Sequence, residues 1–385
     1  MLGPLASDSR YIGIDAATGM SASVEALAKK ILGQDLNVRR GQSVIIESWN
    51  HTLPYVPAFV QEARRLGAQP TVFFEDAESW WSAVNSRQYG PFEHLSAAEQ
   101  AAVASAHAYL FFWGPANMRD VMQLRQPIGS KVTGFNNEWY TAARKGPLRG
   151  YRMTLGLASD PAASLFGLSG EEWRNRVIQA GMADVRRMAR AGTKIAAKLS
   201  GGRQLRIRHS NGTDVRVQLK GVRTQVRSGL VDAAARKRPF GVLGDNPTGQ
   251  VLAATDGSVA EGTLIANRPV YNMFSFLRTT NARWTFERGS LTESSFEEGG
   301  PEFEKAYRAA GKGRERLSFL SIGLNPYGRE VPPCEDTEEG AILLGIGGNS
   351  GFGGKSKLMF QGHALLAGAT VEIDGAPIAR NGRIV

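Results

Sequence analysis

Three stretches near the carboxy terminus decide the fold: RLSFLSIGLNP (316–326), AILLGIGGNSGFGGKSKL (341–358) and FQGHALLAGATVEIDG (360–375). Each stretch joins a run of mainly apolar residues to turn residues, chiefly glycine and asparagine. Apolar runs of this length, bounded by turn residues, are typical of buried β-strands. This part of the chain is therefore predicted to be β-rich, with strands that include 342–346 and 369–373.

The same periodicity begins further upstream. In LRIRHSNGTDVRVQLKG (205–221), two alternating runs meet at Asn211-Gly212. This dipeptide is the strongest short-range signal for a hairpin. We expect further strands at 249–254, 263–266 and 282–288, and a helix at 301–311. The second half is therefore predicted to be a mostly antiparallel, α+β domain.

The first half alternates strands and helices instead. SVIIESW (43–49), PTVFFED (70–76) and AYLFFWG (108–114) have the composition of buried strands, and apolar residues at helical spacing lie between them. This order predicts an open, largely parallel α/β domain without a phosphate-binding G-x-G-x-x-G motif. The remaining predictions are helices at 21–32, 57–66, 101–106 and 118–124, and strands at 131–134 and 151–156.

One long helix is predicted to link the two halves. Ser169-Gly-Glu-Glu has the spacing of a capping box, apolar positions continue to Leu199, and Gly201 and Gly202 end the pattern. The predicted organisation is an α/β domain over 1–168, the linking helix over 169–202, and a β-rich domain over 203–385 that carries most of the site.

Composition favours an ordinary globular protein. The chain has 385 residues, of which 42% are apolar, and shows neither a signal peptide nor a long apolar span, so we expect a cytoplasmic protein. The single cysteine, Cys334, excludes an intrachain disulfide and a cysteine-based zinc site. Because Glu335 and Asp336 follow it and oppose thiolate formation, we interpret it as a loop residue rather than a nucleophile.

The net charge of +10 comes from basic residues that are dispersed among acidic and apolar ones. They form neither a basic arm nor a sheet with interleaved aromatic residues. The distribution therefore favours a small anionic molecule as the partner and argues against nucleic acid or a membrane.

The motifs S-I-G-L-N-P (321–326), G-G-N-S-G-F-G-G-K (347–355) and A-E-G-T (260–263) carry a family resemblance. The chain resembles the aminopeptidase T/aminopeptidase S metallopeptidases. In its last part it is more similar to their relative, the Fe(II)-dependent 2,5-dihydroxypyridine dioxygenase. The resemblance implies the aminopeptidase-T-like fold, and its motifs are specific only in the carboxy-terminal part.

The resemblance also places the usual metal ligands, and this sequence lacks them. The ligand positions fall on Phe319, Leu343, Gln250, Gln361 and His363. Phenylalanine and leucine cannot coordinate, and neutral glutamine is a poor ligand for Fe(II) or Zn(II). We therefore predict no metal cofactor, with Fe(II) or another divalent metal held by unconventional ligands as the alternative.

The candidate site residues follow from these positions, and each also has a purely structural interpretation. His363 is the predicted general base or acid, and its structural interpretation is a packed core histidine. Glu261 is the alternative base, and its structural interpretation is a salt bridge. Lys355 would anchor an anion, and Asn325 and Asn349 would bind an oxygen, although all three also suit turns. Gln361, Phe319 and Trp113 would complete the substrate pocket.

Three functions remain open on the sequence. The first is a hydrolase with an aminopeptidase-like frame, acting without metal on a small, anionic aromatic or heteroaromatic amide. The second is a ring-cleaving Fe(II) dioxygenase, and the third is a non-catalytic ligand-binding relative. Because a β-rich domain must cover its strand edges, we also predict a homo-oligomer, most simply a dimer.

Overall fold

The structure is a computed structural model that describes residues 23–117, 120–121, 124, 126–238, 240–256, 258–272 and 277–385. None of its described helices is long and apolar enough to cross a membrane. The described α-helices are α1 (Val24–Lys29), α2 (Val56–Arg65), α3 (Ala77–Asn85), α4 (Gly90–Glu93), α5 (Ala97–Ser105), α6 (Gln126–Val132), α7 (Asn136–Lys145), α8 (Asp160–Ala163), α9 (Gly170–Gly181), α10 (Val185–Gly201), α11 (Ala233–Arg236) and α12 (Gly300–Ala309). The strands are β1 (Ser43–Trp49), β2 (Gln69–Glu75), β3 (Ala108–Phe112), β4 (Arg149–Met153), β5 (Gln204–His209), β6 (Thr213–Gln218), β7 (Arg223–Arg227), β8 (Leu243–Asn246), β9 (Gln250–Ala254), β10 (Val259–Ile265), β11 (Val270–Asn272), β12 (Leu277–Thr279), β13 (Arg283–Glu287), β14 (Ser290–Ser295), β15 (Leu317–Gly323), β16 (Ile342–Gly347), β17 (Gln361–Leu366), β18 (Thr370–Ile373), β19 (Ala376–Arg380) and β20 (Arg383–Ile384).

A five-stranded parallel sheet organises the first half, in the order β2-β1-β3-β4-β8. Strand β1 lies inside the sheet and is buried over most of its length, which explains its nearly continuous apolar sequence. Helices α1, α2 and α9 contribute to one apolar core against this sheet. The predicted α/β architecture of this half is confirmed.

The last strand of this sheet comes from much later in the chain. Strand β8 pairs in parallel with β4, so Asp245 lies beside Arg152. It belongs by sequence to the range 203–385 assigned to the β-rich domain, yet it lies in the first sheet. The boundaries at 168 and 202 remain predictions.

The predicted single linking helix is wrong, because two helices stand in its place. Ser169 caps α9 as expected, accepting a hydrogen bond from the Glu172 N–H at 3.1 Å. Helix α9 ends at Gly181, and the Asp184 carboxylate then caps α10 by accepting from the N–H of Arg186 at 2.8 Å. An aspartate that binds the backbone ahead of it favours a new helix start over continuation of the old helix.

The strand predicted at 131–134 is also wrong, because Lys131 lies in α6. The segment 131–134 is too short for its periodicity to distinguish a strand from a helix. The helix predicted at 118–124 lies mostly outside the described residues.

The second half is antiparallel, as predicted. An eight-stranded sheet has the order β14-β13-β10-β6-β5-β18-β19-β20, and a five-stranded sheet has the order β17-β16-β15-β9-β7. Strands β5 and β6 form the hairpin predicted at Asn211-Gly212. The two sheets share one apolar core, to which α10 and α12 also contribute side chains.

Helix α10 packs closely against this core through Gly192. A Cβ atom added at Gly192 would lie 2.6 Å from Val226 Cγ1 and 3.0 Å from Leu324 Cδ1. By contrast, a Cβ atom added at Gly201, in the last turn of the same helix, meets nothing within 4 Å. The two glycines therefore differ in packing while sharing one helix.

We predict that Gly192→Ala destabilises the protein and that Gly201→Ala does not. Overpacking at Gly192 costs about 1–3 kcal/mol, which outweighs the better helix propensity of alanine. Urea denaturation of both variants measures the difference. Equal midpoints for the two variants would contradict the close packing of α10 on the sheet.

Candidate functional site

Strand register divides the five-stranded sheet into two faces. Leu320, Ile322 and their neighbours on one face belong to the shared core. Because side chains alternate along a strand, Phe319 and Ser321 lie on the opposite face. Gly345 lies opposite both Phe319 and His363, so all three share that second face. We call it the cleft face.

The cleft face collects every position at which the family resemblance places a metal ligand. Leu343 lies opposite Ser321, and Gln250 lies opposite Gly323. Gln361 is two residues before His363 on the same strand. The positions that the resemblance assigns to metal ligands therefore lie on one surface, although most of the residues there are not metal ligands.

Apolar side chains fill one end of the cleft face. Phe319, Leu343 and Leu365 form a small buried cluster against which Phe352 packs. The Phe319 and Phe352 rings have their centroids 4.6 Å apart. The His363 ring meets Phe319 edge-on, with a centroid distance of 5.3 Å.

This environment determines the protonation of His363. The side chain keeps some exposure, but burial dominates and lowers the pKa of His363 from 6.5 to about 4. The imidazole is therefore neutral at neutral pH and can accept a proton. Its conjugate acid is also stronger than an ordinary imidazolium.

Charged residues occupy the other end of the cleft face. Arg227 lies opposite Gln250, and the carboxyl ends of β4 and β8 bring Arg152 and Asp245 near it. Arg152 Nε and Asp245 Oδ1 form an ion pair at 2.8 Å. Burial raises the pKa of Asp336, and the Ser321 hydroxyl and Arg227 oppose that rise.

The loop that carries Asp336 also holds Cys334 and Glu335. Burial, followed by the charges of Asp336 and Glu335, raises the pKa of the Cys334 thiol well above its usual value. Burial also raises the pKa of Glu335 to about 8. A thiol with a raised pKa is a poor nucleophile, which supports the interpretation of Cys334 as a loop residue.

Asn325 and Asn349 are structural, contrary to their predicted role in binding a substrate oxygen. The buried Asn325 amide donates to the carbonyls of Ala180 and Thr248 at 3.0 and 2.8 Å, and its oxygen accepts from Tyr327 N–H. The buried Asn349 amide donates to Ser318 O at 2.7 Å and to Asp256 Oδ1 at 2.8 Å. Both side-chain amides therefore form hydrogen bonds that stabilise the fold.

Two further candidates belong to the other two sheets. Glu261 is exposed in β10 of the eight-stranded sheet, opposite Arg216, while Ala260 and Leu264 turn into the core. The core therefore separates Glu261 from the cleft face, which removes it as an alternative base. Trp113 follows β3, packs against the first-domain core, and has its ring centroid 5.1 Å from that of Phe111.

Lys355 and Gln361 lie around the rim of the cleft face. The Lys355 N–H donates to Asp256 Oδ2 at 3.0 Å, while the side chain is exposed. Gln361 shares the cleft face with His363, but its amide donates to Gly348 O at 2.9 Å. Of the predicted residues, the structure thus brings His363, Phe319 and Gln361 together.

The charged end of the cleft face was not predicted from the sequence. Arg223, Gln225 and Arg227 recur at the two-residue spacing of a strand, which places all three on one face. That spacing could have placed Arg227 on one face of a strand from the sequence alone. Nothing comparable marked Arg152 or Asp336, because they reach the cleft from other elements.

A protein-family model of the thermophilic metalloproteases (M29) matches residues 20–326. The chain belongs to this M29 family. The match ends before β16 and β17, the strands that hold Leu343, Gln361 and His363. No curated protein matches the sequence.

Two solved structures share the fold over nearly their whole length. The aminopeptidase AmpT from Thermus thermophilus is 20% identical, with a TM-score of 0.61, over 94% of this chain and 98% of that chain. The 2,5-dihydroxypyridine dioxygenase from Pseudomonas putida KT2440 is 18% identical, with a TM-score of 0.58, over 96% and 98%. At these identities the likeness establishes the fold alone.

The residues of this M29 chain do not fit the metal that the family description implies. Its five corresponding positions offer one imidazole and two neutral amides, and the other two are hydrocarbon. Across the described part of the chain, no cluster of three or more His, Cys, Asp or Glu side chains could hold an ion. Divalent zinc or iron needs a fuller donor set than this.

We predict that Asn325→Ala lowers the free energy of unfolding by about 2–4 kcal/mol, because it removes three hydrogen bonds and leaves the buried Thr248 carbonyl without its donor. Chemical denaturation measures the loss. Asn137→Ala, at an exposed position in α7, is the control and should change stability by less than about 0.5 kcal/mol. A small loss at Asn325 would mean that the amide is not needed by the fold.

We also predict an acid-dependent loss of stability that comes from His363. Between pH 6.5 and about 4 the unfolded chain protonates this residue while the native protein does not. The unfolded state binds more protons, so stability falls as the pH falls through this window. His363→Gln should show a smaller loss of stability over the same range.

His94 provides a control of opposite sign, because its hydrogen bond to Glu138 raises the pKa of His94. Its contribution to stability is present at acidic pH and is lost as pH rises through the native pKa. His94→Gln should therefore remove a gain in stability that appears as the pH falls toward 6.5, above the window in which His363 acts. Parallel stability–pH curves for the wild type and His363→Gln would contradict the lowered pKa.

Proposed function

We propose that this M29 protein is a hydrolase that acts without the usual metal on a small aromatic amide carrying an anionic group. The family supplies the peptidase-like frame. The observation that carries the proposal is the pairing of one neutral imidazole, His363, with the Phe319 ring at the position of the family's metal site.

The apolar end of the cleft face suits an aromatic ring. Phe352 is partly exposed where it packs over the buried Phe319 and Leu343, and aromatic rings pack favourably edge-on or offset against one another. A pocket with apolar walls and one or two polar groups is typical of small-molecule sites. The ring of the substrate would lie against these side chains with its amide toward His363.

The proposed reaction uses His363 twice. The neutral imidazole accepts a proton from water as the water oxygen bonds to the amide carbon, giving a tetrahedral oxyanion. The imidazolium then donates that proton to the amide nitrogen, and the carbon–nitrogen bond breaks. One water is consumed, one carboxylic acid and one amine are formed, and the imidazole returns to its neutral state.

The low pKa of His363 affects the two steps in opposite directions. A weaker base removes the proton from water less readily, whereas a stronger conjugate acid protonates the leaving amine more readily. Expulsion of a poor amine leaving group therefore benefits from this environment. The proposed substrates are amides rather than activated esters for this reason.

We predict that the protein hydrolyses aryl amides such as 4-acetamidobenzoate and that chelators leave the rate unchanged. His363→Gln should lower kcat by roughly 10²-fold or more, and kcat/KM should rise with pH around pH 4 instead of 6.5. Amine release is measured with and without chelator. Glu261→Gln should retain the wild-type rate, which separates the two bases proposed from the sequence.

Metal analysis and oxygen uptake test the two results that would contradict the proposed function. One tightly bound ion per chain that is needed for turnover would overturn the metal-free mechanism. Oxygen consumption with added Fe(II) and a hydroxylated aromatic compound would instead favour the dioxygenase alternative.

A further inference from the structure

Arg227 lies where burying a charged side chain costs free energy. Its strand, β7, is at the edge of the five-stranded sheet, and its side chain is on the cleft face and partly buried. Burial lowers the pKa of Arg227, although an arginine remains protonated in a protein. A guanidinium held out of water needs a compensating acceptor.

Within the described part of the chain, Arg227 forms no ion pair. Its Nη2 donates only a long hydrogen bond of 3.4 Å to Gln225 Oε1, and its Cζ lies 5.8 Å from the centre of the Phe352 ring. Two neighbouring arginines differ in this respect. Arg223 binds Asp256, and Arg152 binds Asp245.

The surrounding charges leave the positive charge of Arg227 only partly balanced. Asp245 and Asp336 attract it from beyond ion-pair distance, while Arg152 and Arg238 repel it. Asp245 is already engaged by Arg152, and Asp336 lies beyond ion-pair distance of Arg227. An anion entering the cleft would therefore find an available guanidinium.

We infer that Arg227 is the binding site for the carboxylate of an aromatic ligand. The guanidinium fork matches the two oxygens of a carboxylate. Phe352 lies between Arg227 and Phe319, and Phe319 touches His363, so the ligand ring would lie along this row. The inference deepens the proposed function but concerns binding, which does not depend on turnover.

The assignment replaces Lys355 as the anion anchor. Lys355 is exposed on a loop, where its ammonium is fully hydrated and gains little from binding an anion. Arg227 has already lost much of its hydration, so a carboxylate there replaces weak interactions with strong ones. The two residues can be separated experimentally.

Calorimetric titration with benzoate, and with neutral benzamide as the matched probe, tests the inference at pH 7. Benzoate should bind the wild type at least roughly tenfold more tightly than benzamide does. Arg227→Gln should remove that difference by weakening benzoate alone. Arg227→Lys should recover part of it, because it keeps the charge but loses the fork.

Arg206→Gln is the control: Arg206 lies in the eight-stranded sheet and pairs with Asp214, so this variant should bind benzoate like the wild type. Thermal unfolding of each variant establishes that the protein is folded. The inference is overturned if the wild type does not prefer benzoate, if Arg227→Gln keeps that preference, or if Lys355→Gln loses it. An inactive enzyme that still binds benzoate through Arg227 would refute the proposed reaction and leave this site intact.

Discussion

The alternation of side chains along β15 is the constraint on which the rest of the molecule depends. Leu320 and Ile322 lie in the shared core, so Phe319 and Ser321 must face the cleft. A slip of one residue would exchange the two sets and place a hydroxyl in the core. Because β15 is flanked by β9 and β16, its register also sets which residues of those strands line the cleft.

Desolvation, more than any pairing of charges, gives the cleft its chemistry. It lowers the pKa of His363 and raises those of Cys334 and Glu335. An ion that bound five ligands would have dominated such a site, since it would be the largest local charge. With hydrocarbon at two of the five positions, the chain instead relies on neutral groups at one end and on arginines at the other.

The sequence predicted the fold better than it predicted the site. The residue patterns around Val44 and at Asn211-Gly212 are local, so they identified strand β1 and the β5–β6 hairpin correctly. Asn325 and Asn349 were misassigned because a sequence does not show which carbonyls lie nearby to occupy an amide. Arg152 and Asp336 were missed because the cleft draws on elements distant in sequence, and only tertiary structure brings them together.

Strand β8 completes the sheet of the first half but is synthesised only with the second half. The parallel sheet lacks its outer strand until residue 246 has been synthesised, well after the first strands of the antiparallel half. Until then β4 has an open edge, and Arg152 lacks the carboxylate of Asp245. A nascent chain that stops near residue 202 therefore leaves the edge of β4 unpaired, and only a strand from the antiparallel half completes the parallel sheet.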